Sequence, residues 1–216
     1  MAYCNLDKVI YDGVGKFGIP KIKPYNGDLD ITHWIGFNYS KKSEFCRKSV
    51  GVHFCLDDYQ FETLWNHPNK YIENFRKCGA ILSPDFSLYS DFPKAIQIYN
   101  HYRKHWLASF YQNKDIIVIP TIAWSTEDSY EWCFDGEPEN GIVAVSTTGI
   151  LREKETQELF MKGYNEMKKR LRPTKIILLT VSDNYDKIKE IIGDVENVVF
   201  INVSTFTHKP IKGELK

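Results

Sequence analysis

The chain has 216 residues, 43% of them hydrophobic, with 28 basic and 28 acidic side chains. That length suits one globular domain with a core large enough to need no disulfide or metal staple. The balanced charge excludes a protein that grips nucleic acid or membrane by bulk electrostatics and leaves only a local basic groove open. The five cysteines (Cys4, Cys46, Cys55, Cys78, Cys133) have no CxxC spacing and an odd count, which is the pattern of reduced thiols. Met1–Lys8 has no basic segment leading into an apolar one, and the apolar runs Ile116–Ile119 and Ile176–Leu179 are far shorter than the ~20 residues that span a bilayer. A soluble intracellular protein, with no membrane partner, is expected.

In chain order, residues 1–48 carry Gly13, Gly15, Gly18, Gly27, Gly36, Pro20 and Pro24 with no helical period, and read as an irregular arm held down by its aromatic residues. Strand and helix then alternate. Val50–Cys55 is an apolar strand ending at Asp57-Asp58, 69–78 a helix closed by Gly79, and Ala80–Ser83 a second strand. A helix over 93–113 has Pro93 in its first turn and Ala95, Ile98, Tyr99, Tyr102, Trp106, Ser109 and Phe110 on one face. Ile116–Ala123 is a third strand, 125–140 an acidic Gly/Pro-containing loop or short helix, and Gly141–Val145 a fourth strand. A helix over 153–171 stops at Pro173, Lys175–Thr180 is the fifth strand, 184–192 a helix stopped by Gly193, and Val198–Asn202 the sixth strand. The expected fold is therefore α/β: a mostly parallel sheet of about six strands with flanking helices, open or partial-barrel-like, plus the arm. An open, doubly wound sheet is the preferred form. One domain is expected, with an α/β core over 49–205 and a polar tail over 206–216.

In parallel α/β sheets ligands sit beyond the carboxyl ends of the strands. Those ends read Asp57-Asp58, Ser83–Tyr89, Trp124–Thr126, Ser146–Thr148, Thr180–Asp183 and Asn202–Thr205, nearly all rich in Asp, Ser or Thr. Each residue alone is explained by ordinary capping of helix starts; together they suggest a polar pocket. Asp85, after a buried strand and a proline, is the candidate acid–base group, with Asp57 or Asp58 as a second carboxylate. Ser87, Tyr89, Trp124, Asp135, Ser146 and Thr147 are candidate ligand contacts, the last four drawn from strand ends and from the aromatic, acid-rich segment 124–139.

Other matches carry less. Gly13–Gly18 fits G-x-G-x-x-G, but Ile19-Pro20 follows where a helix is required. His101 and His105 are four apart on the expected helix, yet on the side carrying Lys94 and Lys104, which reads as a solvated face. No metal site or cofactor is assigned. The basic helix over 153–175 leaves a nucleic-acid contact unlikely but open, because its terminal cations also suit the helix dipole. Oligomeric state has no signature in the residues.

Taken together, Ser83–Tyr89, Gln97–Arg103, Val118–Trp124, Cys133–Gly136 and Val143–Gly149 resemble a domain-of-unknown-function family of Firmicutes, their phages and other mobile elements, over about residues 15–205. The resemblance implies work inside a bacterial cell and no established activity, so no catalytic residue is carried over from it. Two functions remain open. One is a pocket for a small nucleotide-like or glycosidic ligand, with hydrolysis or transfer at Asp85. The other is a non-enzymatic binding or inhibitor module that sequesters a ligand or contacts a host protein or nucleic acid.

Overall fold

Eight parallel strands among the described residues, taken in the order of the chain, form two four-stranded sheets. The computed structural model describes residues 8–203, and the expected tail over 206–216 lies outside them. The arm opens with an antiparallel hairpin, β1 (Gly13–Val14) on β2 (Ile19–Pro20), so the G-x-G-x-x-G stretch is a turn whose Gly15 and Gly18 have positive φ. Next come β3 (His33–Gly36), helix α1 (Phe37–Ser40), β4 (Val50–His53), α2 (Glu62–Asn66), α3 (Ile72–Lys77) and β5 (Ala80–Leu82). The long helix α4 (Lys94–Gln112) leads to β6 (Val118–Ile119) and β7 (Thr121–Ile122). The chain continues through β8 (Ile142–Ser146), α5 (Lys154–Leu171), β9 (Lys175–Thr180), α6 (Tyr185–Ile192) and β10 (Val198–Asn202).

Two features depart from the expectation. First, the arm is not wholly irregular: His33–Gly36 pairs in parallel with Val50–His53 and adds an edge strand before the first one expected. Second, the expected strand over 116–123 is interrupted at Pro120. Ile119 O accepts from Ser83 N at 2.8 Å, while Pro120 O accepts from Ala144 N at 2.8 Å. Proline has no N–H to give to a ladder, so the stretch pairs with β5 before it and with β8 after it. The two four-stranded sheets, β3-β4-β5-β6 and β7-β8-β9-β10, thus meet along a single extended segment.

The order has no reversal, which corrects the doubly wound form. A doubly wound sheet reverses its strand order at a switch point; a run in chain order with right-handed crossovers is the progression of a barrel wall. Among the described residues β3 and β10 are edges, so the wall is open. Side-chain alternation agrees. Ile142, Ala144, Ile177, Leu179 and Ile201 join the same apolar cluster as Val50, Val52, Ile81, Leu82 and Val118, while Val143, Val145, Ile176 and Leu178 pack on Phe160, Tyr164 and Met167 of α5 and Ile188 of α6. Both faces of the middle strands are covered, and this is why they read as unbroken apolar runs. No helix of the described residues is long and apolar enough to cross a membrane.

The second cluster has one tight seam. Trp124, just past β7, lies over Phe160 with ring centroids 5.6 Å apart, and its indole covers Gly163 so closely that a Cβ there would stand 2.1 Å from Nε1. Gly163→Ala is therefore expected to lower stability by about 1–3 kcal/mol despite alanine's better helix propensity. Urea unfolding monitored by tryptophan fluorescence checks this, and a variant as stable as the parent would show that the seam yields.

Candidate functional site

Helix α4 crosses from the arm to the strands, packing on β2, α2 and β6. Its buried residues include Asn100, His101, Arg103, Lys104, His105 and Ser109, whereas Ile96 and Tyr99 are exposed. The expectation of a solvated polar face carrying His101, His105 and Lys104 is thus overturned. Polar groups occupy the inside of this helix because each finds partners on other segments, which is the condition for burying them.

The centre of that network is an ion pair. Lys104 Nζ donates to Glu137 Oε1 at 2.6 Å and to the Thr121 carbonyl at 2.9 Å, and both side chains are almost wholly buried, 2% and 0% exposed. His105 sits with Nε2 3.0 Å from the same Oε1 and Nδ1 2.8 Å from the Pro20 carbonyl. His101 has Nε2 3.1 Å from the Asp135 carbonyl, and its ring stands 4.3 Å from that of His105. A carbonyl only accepts, so His105 carries a proton on Nδ1 and His101 carries one on Nε2. Four buried atoms in or beside the network have no hydrogen-bond partner: His101 Nδ1, Glu137 Oε2, Asp85 Oδ1 and Nε1 of Trp132, whose ring stands 5.6 Å from that of His101. Burial pushes the Glu137 carboxyl up, but Lys104 and His105 outweigh it and hold the group below the ordinary range. Burial, with His105 and Lys104 adding to it, pushes the His101 imidazole well below its usual value and keeps it neutral.

Asp85 leaves β5 through Ser83-Pro84. Ser83 Oγ accepts from Thr121 N at 2.8 Å, which ties this turn to the segment that also holds Lys104. Burial drives the Asp85 carboxyl up to about 7; the Lys104 ammonium opposes the rise, and the charges of Asp58 and Glu137 add to it. Asp58 accepts from Ser87 Oγ at 2.9 Å and Ser87 N at 3.1 Å, while the Ser87 carbonyl takes a bond from Asn100 at 2.7 Å. Arg103 bonds both carboxylate oxygens of Glu62 at 2.8 Å and stacks 3.7 Å over Phe86. Cys55, at the end of β4, lies 3.9 Å from Ser146 Oγ, and its thiol is pushed up to about 12 by burial and by Asp85.

The strand ends therefore gather Asp58, Asp85, Ser87, Ser146 and Cys55. The other sequence candidates lie elsewhere. Asp57 is exposed and without a capping bond, and Tyr89 is exposed against Phe92. Thr147 bonds the Leu179 carbonyl and closes β8 onto β9. Trp124 packs on α5 as described. Asp135 contributes its backbone carbonyl to His101, and its carboxylate lies where a Cβ on Gly15 would stand 1.8 Å from Oδ2. Lys104 and Glu137 were missed altogether. The available signal was Asn100-His101 and Arg103-Lys104-His105 on a helix whose apolar period is weaker than its length requires.

The basic helix α5 and its C-cap spend cations locally: Lys162 pairs with Glu127 and Arg172 with Glu139 in exposed pairs, and Arg170 pairs with the half-buried Glu166. Two hollows, one beside Lys168 and Asp194 and one beside Lys23 and Asp115, lie by the starting residues of strands rather than their carboxyl ends.

A sequentially ordered parallel α/β wall with a buried ionisable centre between its long helix and its strand ends defines the class of protein. Residues 11–197 match the family described as Domain of unknown function (DUF4417), and the chain belongs to that family. It is 36% identical over 171 residues to the "Gene 1 protein" of Mycobacterium phage L5, covering 79% of this chain and 74% of that protein. It is also 36% identical over 172 residues to the "Gene 1 protein" of Mycobacterium phage D29, covering 79% of this chain and 63% of that one, so it spans less than two thirds of the latter. No solved structure matches. The association with phage thus stands at the level of these relatives.

The raised Asp85 carboxyl has a consequence for stability. The folded chain holds this proton more tightly than the unfolded chain, so between the ordinary carboxylate range and about pH 7 stability falls as pH rises. Asp85→Asn removes that loss. The variant is expected to be about 1–2 kcal/mol more stable than the parent near pH 8, after allowing for the half-exposed residue, and equal to it near pH 4. Urea unfolding across that range checks this, and a constant difference at all pH values would contradict it.

Proposed function

We propose that this protein binds a small polar ligand, nucleotide-like or glycosidic, at the carboxyl ends of its parallel strands, with Asp85 as the acid–base group for hydrolysis or transfer. The observation that carries the reading is the buried, unpartnered Asp85 Oδ1 beside the Lys104–Glu137 pair. A carboxyl that neither caps a helix nor closes an ion pair in a desolvated position has no structural task of its own, and such groups gather at functional sites. Asp58 would tune Asp85 by its charge rather than react, since its oxygens are taken by Ser87. Ser146 Oγ would meet the ligand. The site of action in this reading is the cytoplasm of a bacterial host, of Firmicutes in keeping with the sequence resemblance, on behalf of a phage or other mobile element.

A second reading is favoured by exposed tyrosines. Tyr59 and Tyr89, at 77% and 59% exposure, lie close in the chain to Asp58 and Ser87, and exposed tyrosines are enriched where proteins meet. In that case the chain is a binding or inhibitor module and the strand ends are its contact surface.

Thermal shift and mass-spectrometric turnover assays against a panel of nucleotides and glycosides separate the two. A compound that raises the melting temperature and is converted by the parent, with conversion reduced at least ~100-fold in Asp85→Asn, is the expected result. Unchanged conversion in that variant would overturn the role of Asp85. A panel with neither shift nor conversion would overturn the pocket and favour the module.

A further inference from the structure

We propose that His101, His105 and Glu137 form a site for one divalent transition-metal ion of the zinc class, buried between α4 and the segment that follows residue 134. One ligand-capable atom from each of the three lies within 4.8 Å of the others, and all three residues are buried. The two histidines are one helical turn apart on α4, so both rings emerge on one side of the helix. Glu137 is brought to them by a turn in which its N–H bonds the Phe134 carbonyl and Gly136 has φ of 76°. Two imidazoles and one carboxylate are the protein donor set of open zinc sites.

The second observation is the set of orphaned atoms. His101 donates Nε2–H to the Asp135 carbonyl, which leaves Nδ1 as a bare lone pair, buried and without a donor. Holding one ring nitrogen on a backbone carbonyl and leaving the other bare is the arrangement that orients metal-ligating histidines. Glu137 uses Oε1 for Lys104 and His105 and leaves Oε2 buried and unpartnered. Both orphans are acceptors, so the missing species is electron-poor. Lys104 does not fill this role, because its ammonium is committed to Oε1 and to Thr121 O. It instead offsets part of the negative charge of Glu137 and Asp85, which favours nitrogen-rich binding of zinc-class ions over hard, oxygen-seeking cations such as Mg²⁺. For His105 to ligate, the ion must displace the Nε2 proton that bonds Glu137 Oε1, which passes to solvent, while Nδ1–H stays on the Pro20 carbonyl. The site is separate from the Asp85 reading, because occupancy is measured without turnover.

The test is titration of the chelator-stripped chain with Co²⁺, read as visible absorption of the imidazole-bound ion, and with Zn²⁺ by calorimetry. One ion per chain is expected, with affinity at least ~10-fold weaker in His101→Asn and in Glu137→Gln and unchanged in His67→Ala, whose histidine is exposed. Circular dichroism shows which variants are folded. Should the buried substitutions prevent folding, the parent alone decides: Zn²⁺ is expected to raise its melting temperature relative to chelator, and Mg²⁺ to leave it unchanged. No bound Co²⁺ or Zn²⁺, no zinc-specific thermal shift, binding undiminished in folded His101→Asn, or binding lost in His67→Ala would each overturn the proposal. The first of these would assign the orphaned atoms to water. Turnover in a metal-free chain would leave the Asp85 reading standing and this one refuted.

Discussion

Lys104 and Glu137 are drawn from a helix and from a loop 33 residues later, and their contact closes the space between α4 and the strands. An ion pair with 2% and 0% exposure gains little net stability over an apolar pair of similar volume, because both charges surrender their hydration. Its effect is on which arrangement is allowed. With Lys104 also on the Thr121 carbonyl and His105 on the Pro20 carbonyl, the pair joins the arm, the long helix, the middle strand and the acidic loop. Withdrawing any one of these segments leaves a buried charge or donor without a partner, at a cost of several kcal/mol. The aromatic residues fill the space around this frame, with Trp132 against His101 and Trp106 against Trp65 and Phe110.

The chemistry of the molecule follows from that position. Charges held inside the wall reach Asp85 through a medium of low polarity, so its proton affinity responds to Lys104, Asp58 and Glu137 although it bonds none of them in the described structure. The strand ends supply hydroxyls and a thiol around it, and the polar interior behind it sets its electrostatics. A polar cluster in two layers results, an outer one of Asp58, Ser87, Cys55 and Ser146 and an inner one of Lys104, Glu137 and the two histidines.

What the residues disclose beforehand divides along physical lines. Strands buried on both faces, such as Val143–Ser146 and Ile176–Thr180, are unbroken apolar runs and can be read directly, as can helices closed by Pro173 or Gly193. The edge strand His33–Gly36 cannot, since it is half-exposed, four residues long and ends in glycine. The polar strand ends are legible for Asp58, Asp85, Ser87 and Ser146, because parallel topology directs strand C-termini to one rim. The inner layer is not, because periodicity assigns polar residues to solvent and has no means to register a carboxylate far along the chain that completes them. His101 and His105 look solvated only until Glu137 and Pro20 are in place. The order of the strands is also hidden, as alternation of strand and helix is shared by singly and doubly wound sheets.

Pro120 has one more consequence, which concerns the order in which the chain is made. The segment around it is the last strand of one sheet and the first of the other, and its Ile119 side is satisfied by residues that precede it. While the ribosome is still adding residues 121–146, the sheet through β6 presents an unpaired parallel edge, and the inner apolar cluster lacks Ile142, Ala144, Ile177 and Leu179. Such an edge invites foreign strands. The nascent amino-terminal half is therefore a transient that depends on prompt arrival of β8, and the two sheets become native together rather than one after the other.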